Sequence, residues 1–149
     1  MNSTDNAAAL GQYRNVTAYT AGSASDRLQL VELLMQGALD GIASAKGHIA
    51  RGDVSSKGEQ ISRAIALLDG LRVSLDHSQG KEVSANLERL YEYMMRRLLQ
   101  ANVDDSTEIL DEVSGLLKEI RSGWKGVMEQ SRELLEAGAA EAAPGVTGE

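Results

Sequence analysis

Apolar residues recur every three or four positions along four stretches of the chain, which is the spacing of one buried face on an α-helix. The stretches cover residues 25–51, 53–75, 81–102 and 105–127, and the last continues more weakly to residue 135. Ser25 and Asp53 are favourable capping residues, and Gly52 is a natural stop between them. Asp105 and Glu108 form a D-x-x-E sequence that resembles a capping box. The pattern therefore predicts four helices joined by short loops.

Four amphipathic helices with short connections favour an all-α fold, an antiparallel four-helix bundle over residues 23–136. Residues 1–22 are small, polar and glycine-containing, with Leu10, Tyr13 and Val16 as apolar points. We expect a flexible N-terminal arm there. Residues 137–149 are small and acidic, so we expect a disordered C-terminal tail.

The first and third helices carry more apolar residues than one core-facing stripe needs. On a helical wheel, Met95 and Leu99 lie to one side of the inward stripe of the third helix, one turn apart. Leu30, Leu33 and Leu34 likewise lie beyond the core stripe of the first helix. The predicted inward residues of the third helix are Val83, Leu87, Leu90, Tyr91, Met94, Leu98 and Ala101, and those of the first are Leu28, Val31, Met35, Leu39, Ile42 and Ile49.

Two interpretations of this surplus stay open from the pattern alone. In one, the arm and neighbouring helices cover it, since wide apolar stripes are usually part of a core. In the other, it forms a groove for another protein's amphipathic helix, a role that suits the adaptable side chain of methionine. Both hold if the arm covers a groove that a partner later occupies.

Composition excludes several classes of function. The net charge of −7 disfavours nucleic acid and anionic membranes as partners. No apolar run approaches the about 20 residues of a membrane span, and the first residues lack the features of a signal peptide, so we expect a cytoplasmic protein without membrane insertion. The chain has no cysteine, no E-x-x-H spacing and no phosphate-binding glycine loop. We therefore predict no metal, no cofactor, no catalytic residue and no enzymatic activity.

The segment "HIARG", residues 48–52, resembles the H-x-x-K-G pattern of histidine phosphotransfer domains, which are also four-helix bundles. His48 lies away from the core stripe, but in the last turn of its helix, and Arg51 replaces the lysine. A histidine at a helix C-terminus ordinarily compensates the helix dipole. A phosphotransfer domain using His48 and a generic helical-bundle regulatory adaptor are the alternatives to a dedicated partner-binding protein.

The segment "SLDHSQGKEVSANLERLYEYMMRRLLQAN", residues 74–102, resembles the signature of the flagellar secretion chaperone FliS family. The matching residues are Ser74, Leu75, Asp76, Gly80, Glu82, Asn86, Leu87, Leu90, Tyr91, Tyr93, Met94, Arg96, Arg97, Leu98, Ala101 and Asn102. Further similar segments occur in the family's order: "YRNV" at 13–16, "SASDRLQLVELLMQGAL" at 23–39, "RGDV" at 51–54 and "LDEVSGLLKEIRSGWKGV" at 110–127. Asp26 stands for the family's proline, and Gln36 for an aromatic residue.

The resemblance implies a cytoplasmic export chaperone that binds the C-terminal segment of flagellin. Such a chaperone prevents premature polymerisation and assists delivery to the flagellar type III secretion apparatus. Export gate components, an anti-sigma factor or a co-chaperone are further candidate partners. The resemblance also implies an arm that packs on the bundle and is rearranged by the client, and whether it competes or contributes contacts stays open. The predicted partner-binding residues are Tyr13, Val16, Leu30, Leu33, Leu34, Tyr91, Met95 and Leu99.

Overall fold

The computed structural model describes residues 24–77 and 80–145, and these form four α-helices. They are α1 (Ala24–Arg51), α2 (Val54–Val73), α3 (Lys81–Asp104) and α4 (Thr107–Gly145). Within this part of the chain, all regular secondary structure is helical, as the pattern of apolar residues predicted. The predicted arm, including Tyr13 and Val16, lies outside the described residues.

The helix boundaries follow from local capping. Gly52 adopts φ +73°, a left-handed conformation that glycine accepts without strain, and it ends α1. Asp53 then caps α2, because its Oδ1 accepts a hydrogen bond from the Ser56 N–H at 3.3 Å. At the start of α4 the prediction is wrong by one residue. Ser106 accepts from the Ile109 N–H at 3.1 Å, whereas Asp105 takes a left-handed conformation at the end of α3.

The four helices form a square in which each packs against its neighbours in the chain, and α4 closes the ring against α1. The first two helices run antiparallel across the turn at Gly52 and Asp53. Arg72 near the end of α2 pairs with Glu88 near the start of α3, so these helices are antiparallel too. Trp124 Nε1 of α4 donates to the Leu28 carbonyl of α1 at 3.2 Å, while residues near the other end of α1 meet the start of α4. The antiparallel four-helix bundle is confirmed.

The core is aliphatic, with one tyrosine. Its buried apolar side chains are Leu30, Leu34, Met35, Ala38, Leu39, Ile42, Ala45, Ile61, Ala64, Leu67, Leu68, Leu71, Tyr91, Met94, Leu98, Ala101, Leu110, Val113 and Leu117. Gly41 lets α1 and α2 approach closely, because a Cβ there would lie 3.1 Å from the Gln60 carbonyl oxygen. Most predicted inward positions of α3 are buried or half-buried, but Val83 is exposed because it lies in the first turn, beyond the reach of neighbouring helices.

The last helix extends far towards the C-terminus. The structure continues α4 to Gly145, and disorder of the tail from residue 137 stays a prediction. The alanines of residues 137–145 favour helix strongly even without tertiary contacts, and a helix already nucleated by the bundle extends at little cost. The 21 residues after Trp124 extend about 30 Å, most of it past the beginning of α1. None of the described helices is long and apolar enough to cross a membrane.

Candidate functional site

Three of the predicted partner-binding residues belong to the core. Leu30 and Leu34 are only 6% and 3% exposed, so placing them beyond the core stripe of α1 was wrong. The reason is that α1 packs against both α2 and α4, which gives it a buried arc wider than one stripe. Tyr91 is buried, as its place in the inward stripe of α3 required, so in this conformation it is not a surface contact.

Leu33 and Leu99 remain at the surface, at 55% and 56% exposed, and Met95 is half-buried against the core. The structure does not bring all three together. Leu33 is on α1 and the other two are on α3, and these helices lie at opposite corners of the square. Met95 and Leu99 are joined instead by Val103, which is exposed one turn further along α3. This stripe of three is the apolar surface that α3 leaves outside the core.

The stripe borders the seam between α2 and α3. Two contacts set the register of these helices, since Arg72 pairs with Glu88 near one end and Lys57 Nζ donates to the Asn102 carbonyl at 2.9 Å near the other. In that register Ile65 of α2 lies opposite Met95, and both are half-buried. Ser62 and Gly58 follow along α2 towards Leu99 and Val103. We call this surface the α2–α3 groove; it comprises Val54, Gly58, Ser62, Ile65, Met95, Leu99 and Val103.

The two adjacent arginines of "MMRRLL" have different environments. Arg97 Nε donates to Glu112 Oε1 of α4 at 2.9 Å, and the Tyr93 hydroxyl donates to the other oxygen of the same carboxylate. These hydrogen bonds, with Tyr93 the larger cause, lower the pKa of Glu112. Arg96 points to solvent beside the stripe. One arginine therefore joins α3 to α4, and the other borders the exposed surface.

His48 lacks the environment of a phosphotransfer histidine. Its Nδ1 lies 3.1 Å from Arg51 Nη2 and 3.4 Å from Asp53 Oδ2, at the turn between α1 and α2. Asp53 is itself held as the cap of α2, and its hydrogen bond from the Ser56 N–H lowers its pKa. This arrangement uses the ring nitrogen to stabilise the turn. The geometry gives no support to the phosphotransfer alternative.

The described residues offer no arrangement for metal chemistry, since no three of their His, Asp and Glu side chains are grouped to hold an ion. Their ionisable groups instead link helices. Lys46 pairs with Asp111, Arg121 with Glu32, and Lys57 with Asp105. The described residues also leave large apolar side chains exposed, among them Val54, Leu99 and Val103 of the α2–α3 groove.

Comparison with known proteins identifies relatives over most of the chain. The family model described as "Flagellar protein FliS" matches residues 7–131. The flagellar secretion chaperone FliSB of Pseudomonas aeruginosa is 44% identical over 119 residues, which are 80% of this chain and 94% of that protein. The flagellar secretion chaperone FliS of Salmonella typhimurium is 39% identical over 81% of this chain and 90% of its own length. That of Bacillus subtilis is 32% identical over 78% and 88%.

Proposed function

The chain belongs to the FliS family of flagellar proteins, and on that premise we propose that it is a cytoplasmic export chaperone for flagellin. In this proposal it binds the C-terminal segment of flagellin, prevents premature polymerisation and assists delivery to the flagellar type III secretion apparatus. Its relatives carry the name of flagellar secretion chaperones, which supports a role in export.

The observation that carries the choice of a helical client is the stripe of Met95, Leu99 and Val103. Met95 packs partly against the core, and Leu99 and Val103 continue its line at helical spacing on the exposed surface. A partner helix laid along the stripe removes this surface from water, which contributes about 25 cal/mol for each Å² buried. Ordering a flexible client cancels much of that gain. The net binding free energy that remains suits a chaperone, because a chaperone holds its client without retaining it permanently.

The test is calorimetric titration of the full-length protein with a peptide of the flagellin C-terminal segment. We expect a 1:1 complex with a Kd of about 10 µM or tighter. Leu99→Glu should weaken binding at least about tenfold, because it buries a charge in the contact. The matched control is Val83→Glu, since Val83 lies on the same helix and is 63% exposed. It should bind like the wild type.

Both substitutions place charge at exposed positions, so both variants should keep the wild-type helicity and melting temperature. Absence of any complex with the wild-type protein would reject flagellin as the client. Equal losses in the two variants would show that a general change in charge, and not the stripe, determines binding.

A further inference from the structure

The last helix passes beyond its packing partners near Trp124. Of the described residues, Trp124 is the last one in α4 that packs against the core, and its Nε1 donates to the Leu28 carbonyl near the start of α1. The helix continues beyond this point, and Leu134 there is 68% exposed. The described helices therefore hold the first half of α4 and leave Leu134 uncovered.

Two glycines flank Trp124 where this support ends. A Cβ built at Gly123 or at Gly126 meets no atom within 4 Å, so packing among the described residues requires neither glycine. Apart from proline, glycine is the least favourable residue inside a helix, and a neighbouring Gly–Ser pair is a common site of helix bending. Ser122 supplies that pair with Gly123. The helix is therefore weakest at the point where the bundle stops supporting it.

Both glycines lie on the side of α4 that faces α3. Glu112 marks this side, because it accepts hydrogen bonds from Tyr93 and Arg97 of α3. From position 112, steps of four, three, four and three residues lead along the same face to positions 116, 119, 123 and 126. A bend of α4 towards α3 therefore closes over glycines, and no side chain of these two positions obstructs it.

The first turn of α3 presents an uncovered apolar side chain to this hinge. Val83 is 63% exposed, and it lies two heptads before Arg97, hence on nearly the same, α4-facing side of α3. Val83 is fourteen residues before Arg97, and Gly126 is fourteen residues after Glu112. Because Arg97 contacts Glu112 and the two helices are antiparallel, Val83 lies level with Gly126.

The segment after the hinge is long enough to reach Val83. Leu134 follows Gly126 by eight residues, which is about 12 Å of helix, whereas the axes of neighbouring helices lie about 8–10 Å apart. In the straight helix Leu134 points past the end of the bundle. In a bent helix it arrives over the first turn of α3.

The charges of this corner suit the same segment. Gly80 begins α3 without a side chain that caps its amino end, where the helix dipole is positive. Glu133 and Glu136 are exposed within two residues of Leu134. When Leu134 covers Val83, these carboxylates lie near the amino end of α3, where negative charge is stabilised.

We propose that α4 bends at Gly123 and Gly126 and folds residues 127–136, the strap, over the first turn of α3, so that Leu134 covers Val83. The straight helix is the open state of this strap, and the occupant of the exposed corner is the chain's own segment. The inference is independent of the identity of the client. The strap covers the end of α3 at Val83, whereas Leu99 and Val103 lie near its other end.

The first test uses the absence of cysteine from the chain. Val83→Cys with Leu134→Cys places two thiols at exposed positions, and they form a disulfide only when their Cα atoms come within about 7 Å. The matched control is Gln29→Cys with Leu134→Cys, because Gln29 is exposed on α1, next to the level of Trp124 and on the other side of α4. In a glutathione redox buffer, the intramolecular disulfide of the Val83 pair should form at least about tenfold more favourably than that of the Gln29 pair.

The second test stiffens the hinge. Gly123→Ala with Gly126→Ala, added to the Val83–Leu134 cysteine pair, should disfavour the disulfide by about tenfold, because alanine stabilises the straight helix. The control is Gly115→Ala in the same cysteine background, since Gly115 lies in the supported half of α4 and a Cβ there also meets nothing within 4 Å. It should leave the disulfide equilibrium within about twofold, although both sets of alanines should raise the melting temperature.

Each outcome decides the proposal. A monomeric disulfide that is selective for Val83 and suppressed by the hinge alanines supports the closed strap. If the Val83 pair forms no more readily than the Gln29 pair, α4 does not bend towards α3 and the inference is overturned. If the disulfide joins two molecules, a second copy covers Val83 and the strap is rejected. If Gly115→Ala suppresses the disulfide as strongly as the hinge alanines do, the bend is not located at Gly123 and Gly126.

Discussion

At the scale of single residues, Tyr91 shows how one side chain was assigned two incompatible positions. Its spacing placed it in the inward stripe of α3, yet it was also among the predicted partner-binding residues. The structure buries it in the core with only 3% of its surface exposed. Burial disfavours the phenolate and raises the pKa of Tyr91 to about 12. In this conformation Tyr91 is therefore a core residue and is not exposed to a partner.

This pKa predicts a loss of stability in alkali. An unfolded tyrosine ionises near pH 10, so below that pH both states keep the proton and Tyr91 contributes no pH dependence. Above it the unfolded state releases the proton first, and stability falls between about pH 10 and 12. Urea unfolding at pH 9, 10, 11 and 12 should show a steeper decline for the wild type than for Tyr91→Phe, by about 2 kcal/mol over this range. An equal decline of the free energy of unfolding in the two proteins would contradict the raised pKa of Tyr91.

At the scale of elements, the start of α2 and the turn between α3 and α4 act as one unit. Lys57 is a buried cation whose Nζ satisfies the Asn102 carbonyl at the end of α3 and the carboxylate of Asp105. Asp105 also takes the left-handed conformation that ends α3, and the Ser106 hydroxyl then caps the start of α4. In a capping box, the Asp105 carboxylate would accept a hydrogen bond from a backbone N–H of α4. In the structure it accepts one from Lys57 Nζ instead.

Lys57→Met should therefore destabilise the bundle although it preserves the buried aliphatic stem. It removes two hydrogen bonds donated by the ammonium group, one to a carbonyl and one to a carboxylate, but Asp105 is half-exposed and water then solvates its carboxylate. We expect a cost of about 1–2 kcal/mol in the free energy of unfolding. Lys46→Met is the control, because Lys46 and Asp111 form an exposed pair that contributes about 0.5 kcal/mol or less. Equal losses in the free energy of unfolding, measured by chemical denaturation, would show that the Lys57 contacts contribute no more than an exposed ion pair.

At the scale of the whole molecule, the bundle leaves apolar side chains of the α2–α3 groove exposed. The N-terminal segment carries Leu10, Tyr13 and Val16 at a spacing of three. That spacing fits one face of a short helix, which can cover an exposed apolar patch in the free protein. One surface cannot hold both the arm and the client. If the arm competes, the measured affinity is reduced by the fraction of molecules whose arm is undocked.

Deleting residues 1–18 should therefore tighten binding of the flagellin C-terminal peptide, by about tenfold if the arm is docked nine-tenths of the time. The truncated protein should also self-associate more readily, because its apolar surface is uncovered. Calorimetry and sedimentation of the full-length and truncated proteins measure both effects. Weaker binding after the deletion would reject competition and would instead make Tyr13 part of the client site.

The sequence by itself was sufficient for the features that depend on local physics. Periodic apolar residues predicted four helices, and Gly52 and Asp53 predicted the end of α1 and the start of α2, because capping is decided within a few residues. Short loops then left an antiparallel bundle as the simplest arrangement. The signature around Tyr91 to Asn102 led to the family, since several motifs in a fixed order carry information that single residues do not.

Only the tertiary structure decided which apolar residues are surplus. A helical wheel gives the direction of each side chain but not the number of helices that pack around it. It therefore placed Leu30, Leu34 and Leu99 outside the core. Because α1 packs against two helices, Leu30 and Leu34 are buried, while Leu99 of α3 stays exposed beyond the seam with α2. The contact of Lys57 with Asp105 joins residues more than forty positions apart in the chain, so it exists only once the helices have packed.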